Sequence, residues 1–414
     1  MTRAGDGHVG SARADGEHIR RKREGGVRVG TEQTRRERES SECAARERVL
    51  VARLDSMGDV LLAGPAVRAV AASGARVTML CSPRGAPAAR MLPGVDEVMV
   101  WDCPWISADA PAVDTADIQR LVRELAAKRF SRAVILTSFH QSPLPLALLL
   151  RLAGVAWIGG ASVDHPGSLL DVRVRPGEAG DDGMPEDIPE PERALRIAAA
   201  CGFPLPHADP GALRVHGAVA APGWARHSVV LHPGASAPAR RWSAQGYAAV
   251  ASALRARGIQ VIVTGEADEH ELTSAVAVDG AIDLGGRLEL PELAGVLAAA
   301  DVVVCGNTGP AHLAAAVGTP VVSLFSPVVP AARWAPYGVP TVVLGDQDAA
   351  CAGSRARVCP VPGHPCLLRV APEEVVDACL RLAPHLTGRR RDTAAPGTAA
   401  RRPARPAARE AVAP

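Results

Sequence analysis

Short apolar runs alternate along this chain with longer segments that have one apolar face. In the first third, the runs at 48–54, 77–81, 95–101 and 133–137 predict strands, and 60–70 predicts a helix after the first strand. Mostly apolar, β-branched runs are typical of strands that are buried on both faces of a parallel sheet. Strands that alternate with helices indicate a doubly wound α/β sheet.

The same pattern begins again after residue 222. Strands are predicted at 228–232, 260–265, 282–284, 302–305 and 321–325, and helices begin near 244 or cover 266–276, 290–300 and 372–382. We expect the last helix to cross back to the first half. Residues 177–191, rich in Gly, Pro, Asp and Glu, predict a loop or an exposed insertion.

Residues 204–222, rich in Pro, Gly and Ala, predict a linker between two similar halves. We therefore predict an N-terminal domain at 48–215, a C-terminal domain at 216–387 and a cleft between them. Ligands of open parallel sheets bind at the carboxyl ends of the strands. The turns around Gly58, Gly234, Gly265 and Gly306 all follow predicted strands, so they should lie at that edge.

Both ends of the chain are predicted to be disordered tails. Residues 1–47 carry Gly, Ser, Arg and Glu with few large apolar side chains, and 388–414 are mostly Arg, Ala and Pro. The first tail includes basic runs at 20–23 and 35–36. Such runs are either solvated or weakly attracted to anionic lipid at a membrane surface.

The composition indicates a cytoplasmic protein with large apolar cores. The 414 residues are 47% hydrophobic, and a formal charge of +2 gives no sign of nucleic-acid binding. The apolar run at 144–152 is too short to span a bilayer and contains Arg151. Nine cysteines in a large chain without a recognisable secretory signal favour reduced thiols.

The segment 302–325 carries the clearest chemical signal. A β-branched strand leads into the turn 306–309, in which Thr308 is suited to cap a helix and Pro310 is suited to its first turn. Free backbone N–H groups and the helix dipole favour an anion there, and a phosphate is the natural ligand. The alternative is a plain strand-to-helix turn.

Four motifs in this order resemble glycosyltransferase family 9, the heptosyltransferase family of the GT-B fold. They are 55–62 (DSMGDVLL), 232–236 (HPGAS) continuing to Arg241 and Trp242, 264–265 (TG) with Glu269, and 307–312 (NTGPAH). The resemblance implies an α/β protein with two Rossmann-like, doubly wound parallel-sheet domains that face a central cleft. The turn at Gly58 lacks the G-x-G-x-x-G pattern, so a dehydrogenase is disfavoured.

The resemblance also implies an activity. It is the transfer of a sugar, with inversion, from a nucleotide donor to a glycan or glycolipid acceptor, as in lipopolysaccharide core biosynthesis. The implied donor is ADP-heptose. Two alternatives stay open: a sugar-nucleotide epimerase of the same fold, and a non-catalytic protein that binds nucleotide sugars.

Asp59 matches the aspartate that the family implies as general base. A base would take the proton of the acceptor hydroxyl as its oxygen attacks the anomeric carbon. The alternative is that Asp59 merely caps the helix that follows it. Ser56 and Gly58 lie on the same turn and are assigned to substrate binding.

Arg240 stands where the family usually carries a lysine that meets the donor phosphates, and Arg241 beside it competes for that role. Arginine keeps the charge and adds a planar, bidentate fork. Glu269 matches a glutamate implied to hold the ribose, with Glu266 and Glu271 as rivals. The alternative for all of these is solvated surface charge.

The last motif is assigned to the donor. Thr308 and Gly309 would offer backbone N–H groups to the diphosphate, with Pro310 in the same turn, and Ser236 would donate a hydrogen bond from the 232–236 turn. Asn307 replaces a family aspartate, which removes a negative charge near the phosphates. His312 is assigned either to sugar binding or to the buried core.

We predict no cofactor and no catalytic metal, because the implied clamp consists of cations and backbone amides and neither half shows a D-x-D motif in its turns. The tract with Cys351, Cys359, His364 and Cys366 contains ligand types that suit zinc. Its spacings are irregular, so it is either a structural metal site or a proline-rich loop with free thiols.

Overall fold

The computed structural model describes residues 46–106, 112–178, 180 and 183–388. Nearly all of the predicted tails, at 1–45 and 389–414, lies outside these residues. The apolar run at 144–152 forms a helix of nine residues. Among the described residues, no helix combines the length and the apolar character needed to cross a membrane.

The first half forms a parallel sheet in the spatial order β3-β2-β1-β4-β5-β6-β7. Its strands are β1 (Arg48–Arg53), β2 (Arg76–Cys81), β3 (Glu97–Val100), β4 (Arg132–Ile135), β5 (Trp157–Ala161), β6 (Val172–Pro176) and β7 (Gly183–Met184). Its helices are α1 (Met57–Leu62), α2 (Gly64–Ala72), α3 (Ala86–Ala89), α4 (Thr115–Lys128), α5 (Leu144–Leu152) and α6 (Glu190–Ala200).

The second half forms another parallel sheet, in the order β10-β9-β8-β11-β12-β13. Its strands are β8 (Ser228–His232), β9 (Gln260–Val263), β10 (Ile282–Asp283), β11 (Val302–Gly306), β12 (Val321–Leu324) and β13 (Thr341–Leu344). Its helices are α7 (Ala244–Ala256), α8 (His270–Val276), α9 (Leu290–Ala299), α10 (Gly309–Ala316), α11 (Ala331–Trp334), α12 (Pro365–Leu368) and α13 (Pro372–Leu382).

The predicted apolar runs form the centres of both sheets. Every residue of β8, β11 and β12 is buried, as expected for strands covered on both faces. Helix α7 begins where the sequence predicts it, because the hydroxyl of Ser243 accepts a hydrogen bond from the Gly246 backbone N–H at 3.0 Å. Residues 204–222, all described, contain no helix or strand; the domain boundary within them stays a prediction.

Two local predictions are wrong, and a third holds only in part. Helix α1 begins at Met57 rather than at residue 60, and Ser56 is its N-cap, so Asp59 lies inside its first turn. The described part of 177–191 is largely exposed loop, as predicted, but it contains β7, and Glu190 at the start of α6 is only 1% exposed. Helix α13 does not cross back to the first half: its face with Val375, Val376 and Cys379 packs into the core of the second sheet.

Two contacts connect the halves beside the predicted cleft. Arg333 on α11 donates to a carboxylate oxygen of Asp187 at 3.0 Å, and its guanidinium lies 4.0 Å from the ring centre of Phe139. Farther into the cleft, α1 of the first half packs against α10 of the second. The ends of both sheets are thereby held close together.

Candidate functional site

A cleft of about 260 Å³ lies where the carboxyl ends of both sheets meet. Neighbouring strands β1 and β4, and likewise β8 and β11, are the pairs at which the strand order reverses, the usual ligand position in such sheets. Residues that follow all four strands line the cleft: Asp55, Ser56, Gly58, Asp59, Ser138, Phe139, His140, Ser236, Arg240, Asn307, Thr308, Gly309 and His312, joined by Val329, Trp334 and Arg355.

Asp59 is held in one orientation by three hydrogen-bond donors. One oxygen accepts from the Ser56 hydroxyl at 2.7 Å and from the Ser56 backbone N–H at 3.3 Å, and the other accepts from Arg53 Nη2 at 3.0 Å. Burial acts to raise the pKa of Asp59, but Arg53, Ser56 and His312 outweigh burial and hold the pKa below its usual value. Asp59 therefore supports the start of its helix and also faces the cleft as a carboxylate.

Arg53, at the end of β1, forms ion pairs with three carboxylates of the first half. It is 2% exposed, and its nitrogens lie 2.8 Å from Asp55, 3.0 Å from Asp59 and 3.3 Å from Glu190. Its Nη2 also donates to the Ser138 hydroxyl at 2.9 Å. The surrounding carboxylates raise the pKa of Arg53 although burial opposes them, so this charge is permanent.

Asp55 lies in the same cleft in a different electrostatic state. Burial, with repulsion from Asp59 and Glu190, raises its pKa to about 6, although Arg53 and Gln141 act in the opposite direction. Two nearby carboxyls whose pKa values are pushed apart are a common arrangement in acid–base sites. The site thus offers one firmly ionised carboxylate and one that titrates closer to neutrality.

The N-terminus of α10 forms the opposite wall. Thr308 occupies the N-cap position as predicted, but its hydroxyl makes no capping hydrogen bond. Asn307 and His312 are each 5% exposed, and Asn307 Oδ1 and His312 Nδ1 have no protein hydrogen-bond partner. Burial lowers the pKa of His312 to about 4, so its ring is neutral at physiological pH. Unpaired buried polar atoms at a cleft are expected where a ligand supplies the missing partners.

Two glycines allow these walls to approach each other. A Cβ on Gly58 would lie 2.9 Å from His312 Cδ2, and a Cβ on Gly309 would lie 2.3 Å from Met57 Cε. Both distances are shorter than a van der Waals contact. In the first turns of α1 and α10, the backbone of each helix at its glycine therefore contacts a side chain of the other helix. This contact brings Asp59 close to the N-terminus of α10.

The two adjacent arginines face different surroundings. Arg240 lines the cleft, its Nε has no protein hydrogen-bond partner, and burial lowers its pKa although Asp59 partly compensates. Arg241 is 43% exposed, donates its Nε to the Ala235 carbonyl oxygen at 2.7 Å and lies 3.7 Å from Glu269. Arg240 is accordingly the arginine that a ligand in the cleft would meet.

Three predicted site residues do not line the cleft: Arg241, Glu269 and Pro310. The Glu269 carboxylate accepts a hydrogen bond from the Glu266 backbone N–H at 3.1 Å. It lies so close to Gly234 that a Cβ on that glycine would overlap it. Pro310 is buried in the first turn of α10. The remaining predicted residues, Ser56, Gly58, Asp59, Ser236, Arg240, Asn307, Thr308, Gly309 and His312, share one cleft.

Sequence reasoning missed a second, larger space beside the first. A cavity of about 940 Å³ adjoins the cleft and shares six lining residues with it: Asp55, Ser56, Asp59, His140, Arg240 and Arg355. Burial, together with Arg355, lowers the pKa of His140 to about 4. His140 follows β4 as Asp55 follows β1, a position that could have marked it, whereas no sequence pattern marks Arg355, which lies in a long loop.

The cysteine tract lies in the second half, in the loop between β13 and α12 and the start of α12. Cys351 and Cys366 are buried, Cys359 Sγ lies 3.4 Å from the Val361 carbonyl oxygen, and His364 Nε2 lies 3.1 Å from the Ala239 carbonyl oxygen. The cysteines in the described part of the chain are free thiols. Both interpretations of the tract stay open.

Known proteins resemble this chain in sequence. Residues 197–364 match the family model of glycosyltransferase family 9 (heptosyltransferase). Lipopolysaccharide heptosyltransferase 3 of Escherichia coli is 32% identical over 109 residues, which are 25% of this chain and 32% of that protein. Lipopolysaccharide heptosyltransferase 2 of E. coli K12 is 27% identical over 246 residues, or 53% of this chain and 66% of that protein. The chain thus spans between 32% and 66% of the length of these two relatives.

Solved structures resemble it in fold. The structure of E. coli ADP-heptose lipopolysaccharide heptosyltransferase II matches this chain with a TM-score of 0.60 at 21% identity, covering 81% of this chain and 98% of that one. At this identity the likeness shows the fold, and it confirms the predicted GT-B architecture of two parallel-sheet halves. The resemblance drawn from the four motifs is therefore confirmed: residues 197–364 match glycosyltransferase family 9, and the chain has a GT-B fold.

Proposed function

We propose that this chain is an inverting glycosyltransferase that moves heptose from ADP-heptose to a glycan or glycolipid acceptor, the core of a lipopolysaccharide in the typical case. The observation that carries the proposal is that Asp59 and the N-terminus of α10 face one cleft, where the strand orders of both sheets reverse. The similar sequences are named heptosyltransferases, and the E. coli protein with the same fold is named an ADP-heptose heptosyltransferase.

The second half supplies a wall suited to a diphosphate. The N-terminus of α10 offers backbone N–H groups and the positive end of a helix dipole. Arg240 faces the same space with an unpaired Nε, and its planar fork fits two phosphate oxygens. Since Asn307 carries no charge, this wall adds no carboxylate that would repel the donor.

The transfer step follows from the positions of these groups. The acceptor oxygen attacks the anomeric carbon while the bond from that carbon to the diphosphate oxygen breaks, and the electron pair leaves with the nucleoside diphosphate. The proton of the acceptor hydroxyl goes to Asp59. Attack on the face opposite the leaving group inverts the configuration. Arg240 and the α10 N-terminus stabilise the charge on the departing diphosphate.

Arg53 and Ser56 favour Asp59 as the base by orienting it and keeping it deprotonated. The same contacts also weaken Asp59 as a base, because they hold its pKa low. A well-placed base typically contributes about 10²–10⁴-fold to the rate. The adjoining cavity of about 940 Å³ has room for an acceptor, and the residues it shares with the cleft lie where the two substrates would meet.

Asp59→Asn tests the assignment, because asparagine keeps the size of the side chain but cannot accept a proton. We expect donor affinity, measured by calorimetry, to change little and the transfer rate to fall by about 10²-fold or more. Asp377→Asn is the matched control, since Asp377 is exposed on α13, outside the cleft. Its transfer rate should equal that of the wild type.

Other outcomes identify the alternatives. Full transfer by Asp59→Asn together with loss in Asp55→Asn would move the base to Asp55. Isomerisation of the donor sugar without any acceptor would indicate an epimerase. A wild-type protein that binds ADP-sugars but neither transfers nor hydrolyses them, across a broad acceptor panel, would indicate a binding protein.

A further inference from the structure

Three potential metal ligands converge at the end of the second sheet opposite the cleft. His227 immediately precedes β8 and Asp301 immediately precedes β11, and these two strands are parallel neighbours. His385 lies in the 3₁₀ turn Pro384–Gly388 that follows α13. Strands β8 and β11 have five residues each, so this cluster is roughly 15 Å from their carboxyl ends.

The ligand atoms of these residues are close enough to share one ion. His385 Nε2 lies 2.9 Å from Asp301 Oδ1, and His227 Nδ1 lies 3.8 Å from Asp301 Oδ2. One ligand atom from each residue lies within 4.8 Å of the other two. Two ligands about 2.0–2.2 Å from a tetrahedral zinc ion are separated by roughly 3.3–3.6 Å. The distances of 2.9 Å and 3.8 Å, which run to the two different oxygens of Asp301, lie on either side of that value.

Asp301 Oδ2 gives an independent sign that a partner belongs here. This oxygen is buried and has no hydrogen-bond partner, because 3.8 Å to His227 is beyond hydrogen-bond range. The Asp301 backbone N–H donates to the Ser228 carbonyl oxygen at 2.9 Å, which fixes the residue against β8. Leaving a buried carboxylate oxygen unpaired is costly, and a cation between it and His227 would remove that cost.

The backbone of His227 adopts an unfavourable conformation that places its ring in the cluster. Its φ is +57°, the left-handed region that non-glycine residues adopt infrequently, although histidine tolerates it better than most. The rings of His227 and His385 have their centres 6.4 Å apart and lie nearly perpendicular, at 80°. Two imidazoles that do not stack leave room for an ion between their nitrogens and the carboxylate.

We propose that His227, Asp301 and His385 bind one divalent transition-metal ion, with Zn²⁺ the species that best suits two imidazoles and a carboxylate. Water would complete the coordination. The three ligands are far apart in the chain, so the ion joins the turn that follows α13 to the starts of β8 and β11. Its role is structural and does not depend on the proposed transferase activity.

The test is calorimetric titration of the untagged full chain with Zn²⁺. His385→Ala removes a ligand that is 55% exposed, so folding should be unaffected. We expect one tightly bound Zn²⁺ in the wild type and a loss of at least about tenfold in affinity in the variant, since even changes outside the first coordination sphere cost that much. Zn²⁺ should also raise the melting temperature of the wild type but not that of the variant.

His270→Ala is the matched control. His270 is also exposed and lies 4.0 Å from a carboxylate oxygen of Asp283, but that pair is not part of a three-ligand group among the described residues. Zinc affinity should be unchanged in this control and lost in a second ligand variant, His227→Ala. Absence of binding tighter than about 100 µM in the wild type would overturn the proposal. Equal binding by His385→Ala and the wild type would also overturn it and would direct attention to the tract 351–366.

Discussion

Arg53 has three carboxylates within 3.3 Å and almost no exposure to solvent. Glu190, at the start of α6, accepts from Nη1 and Nη2 of this guanidinium but does not line the cleft as Asp55 and Asp59 do. Leaving buried charges without their partner typically costs about 3–5 kcal/mol. This group of charges therefore stabilises the first half and, at the same time, sets the ionisation of the candidate base.

The adjacent arginines allow a paired prediction at single positions. Arg240→Ala should weaken the binding of ADP-heptose and of ADP by about ten- to a hundredfold, because a charge-assisted hydrogen bond contributes about 1.5–3 kcal/mol. Arg241→Ala should weaken it by less than about fivefold, since an exposed ion pair such as that with Glu269 contributes at most about 1 kcal/mol. Calorimetry with both variants measures the difference. Equal losses would contradict the assignment of the contact to Arg240, and unchanged affinity in both variants would exclude this loop as the phosphate-binding site.

The sequence could identify cleft residues that follow apolar strands, since the carboxyl ends of parallel strands meet at one edge. Asp59, Asn307, Thr308 and His312 are of this kind. Which of Arg240 and Arg241 faces the cleft depends on how the 3₁₀ turn Pro238–Arg240 packs, and no local pattern records that. Glu190 was missed because its segment, rich in Gly and Pro, predicts solvent exposure, whereas its carboxylate pairs with Arg53, 137 positions away.

The first turns of α1 and α10 are the elements whose contact shapes the cleft. Gly58 is buried, and a Cβ there would meet a ring carbon of His312, itself 5% exposed, at 2.9 Å. The same Cβ would lie 3.3 Å from the Gly309 Cα, a backbone atom, so rotating one side chain would not relieve the crowding. The spacing of these two helices therefore depends on the absence of a side chain at position 58.

Gly58→Ala should reduce the free energy of unfolding by about 1–3 kcal/mol, the usual cost of adding a methyl group to a packed interior. Gly223→Ala is the control, because a Cβ there has no heavy atom within 4 Å. The control should be neutral or slightly stabilising. Urea unfolding of both variants measures this, and equal stability of the two would show that α1 and α10 are not tightly packed against each other.

Elements were predicted well where burial is two-sided and poorly where it is not. The apolar runs of β1, β8 and β11 left little choice of structure. Strand β13, at the sheet edge and only partly buried, was not predicted. Strand β5 is an exception, because it is buried but its apolar run is interrupted by Gly159 and Gly160. The start of α1 was misplaced because Met57 and Gly58 were assigned to a turn, although Ser56 is in position to cap a helix there.

Across the whole molecule, buried histidines tie stability to pH. Burial lowers the pKa of His232 to about 4, and burial has the same effect on His312. An unfolded histidine titrates near pH 6.5. Between about pH 6.5 and 4, each of these two histidines is therefore protonated more in the unfolded chain than in the folded one. This contribution to stability is complete above pH 6.5 and is lost as the pH falls. Asp55, with a raised pKa of about 6, acts in the opposite direction.

His232→Asn isolates one of these contributions. His232 Nδ1 lies 3.0 Å from the Thr264 hydroxyl and outside the cleft, so the variant should be less stable at pH 7. Its further loss between pH 7 and pH 5 should be smaller than that of the wild type by about 1–2 kcal/mol. Urea unfolding at both pH values measures this, with the exposed His207→Asn as control. Parallel losses in wild type and His232→Asn would show that the ring is protonated in the folded state as well.

The general architecture was predictable, because two series of alternating strands and helices with a proline-rich segment between them leave few arrangements. The path of the chain after the second sheet was not. The predicted return of α13 to the first half is wrong, since α13 packs on α7 and on β11, β12 and β13 of the second half instead. The contacts that do join the halves include the ion pair of Arg333 with Asp187. The two residues are 146 positions apart, and nothing in the sequence around either charge predicts that they pair.

Gly58 and Gly309 belong to different halves, and a methyl group on either one would lie within 3 Å of an atom of the other half. In evolutionary terms, the two halves cannot change independently at this point. A larger residue at either glycine is tolerated only if the facing residue of the other half is replaced by a smaller one. Recombination between distant homologues would join halves whose contact surfaces had diverged, and such hybrids should misfold or lose the geometry of the cleft. Selection is therefore expected to keep the two halves together as one inherited unit.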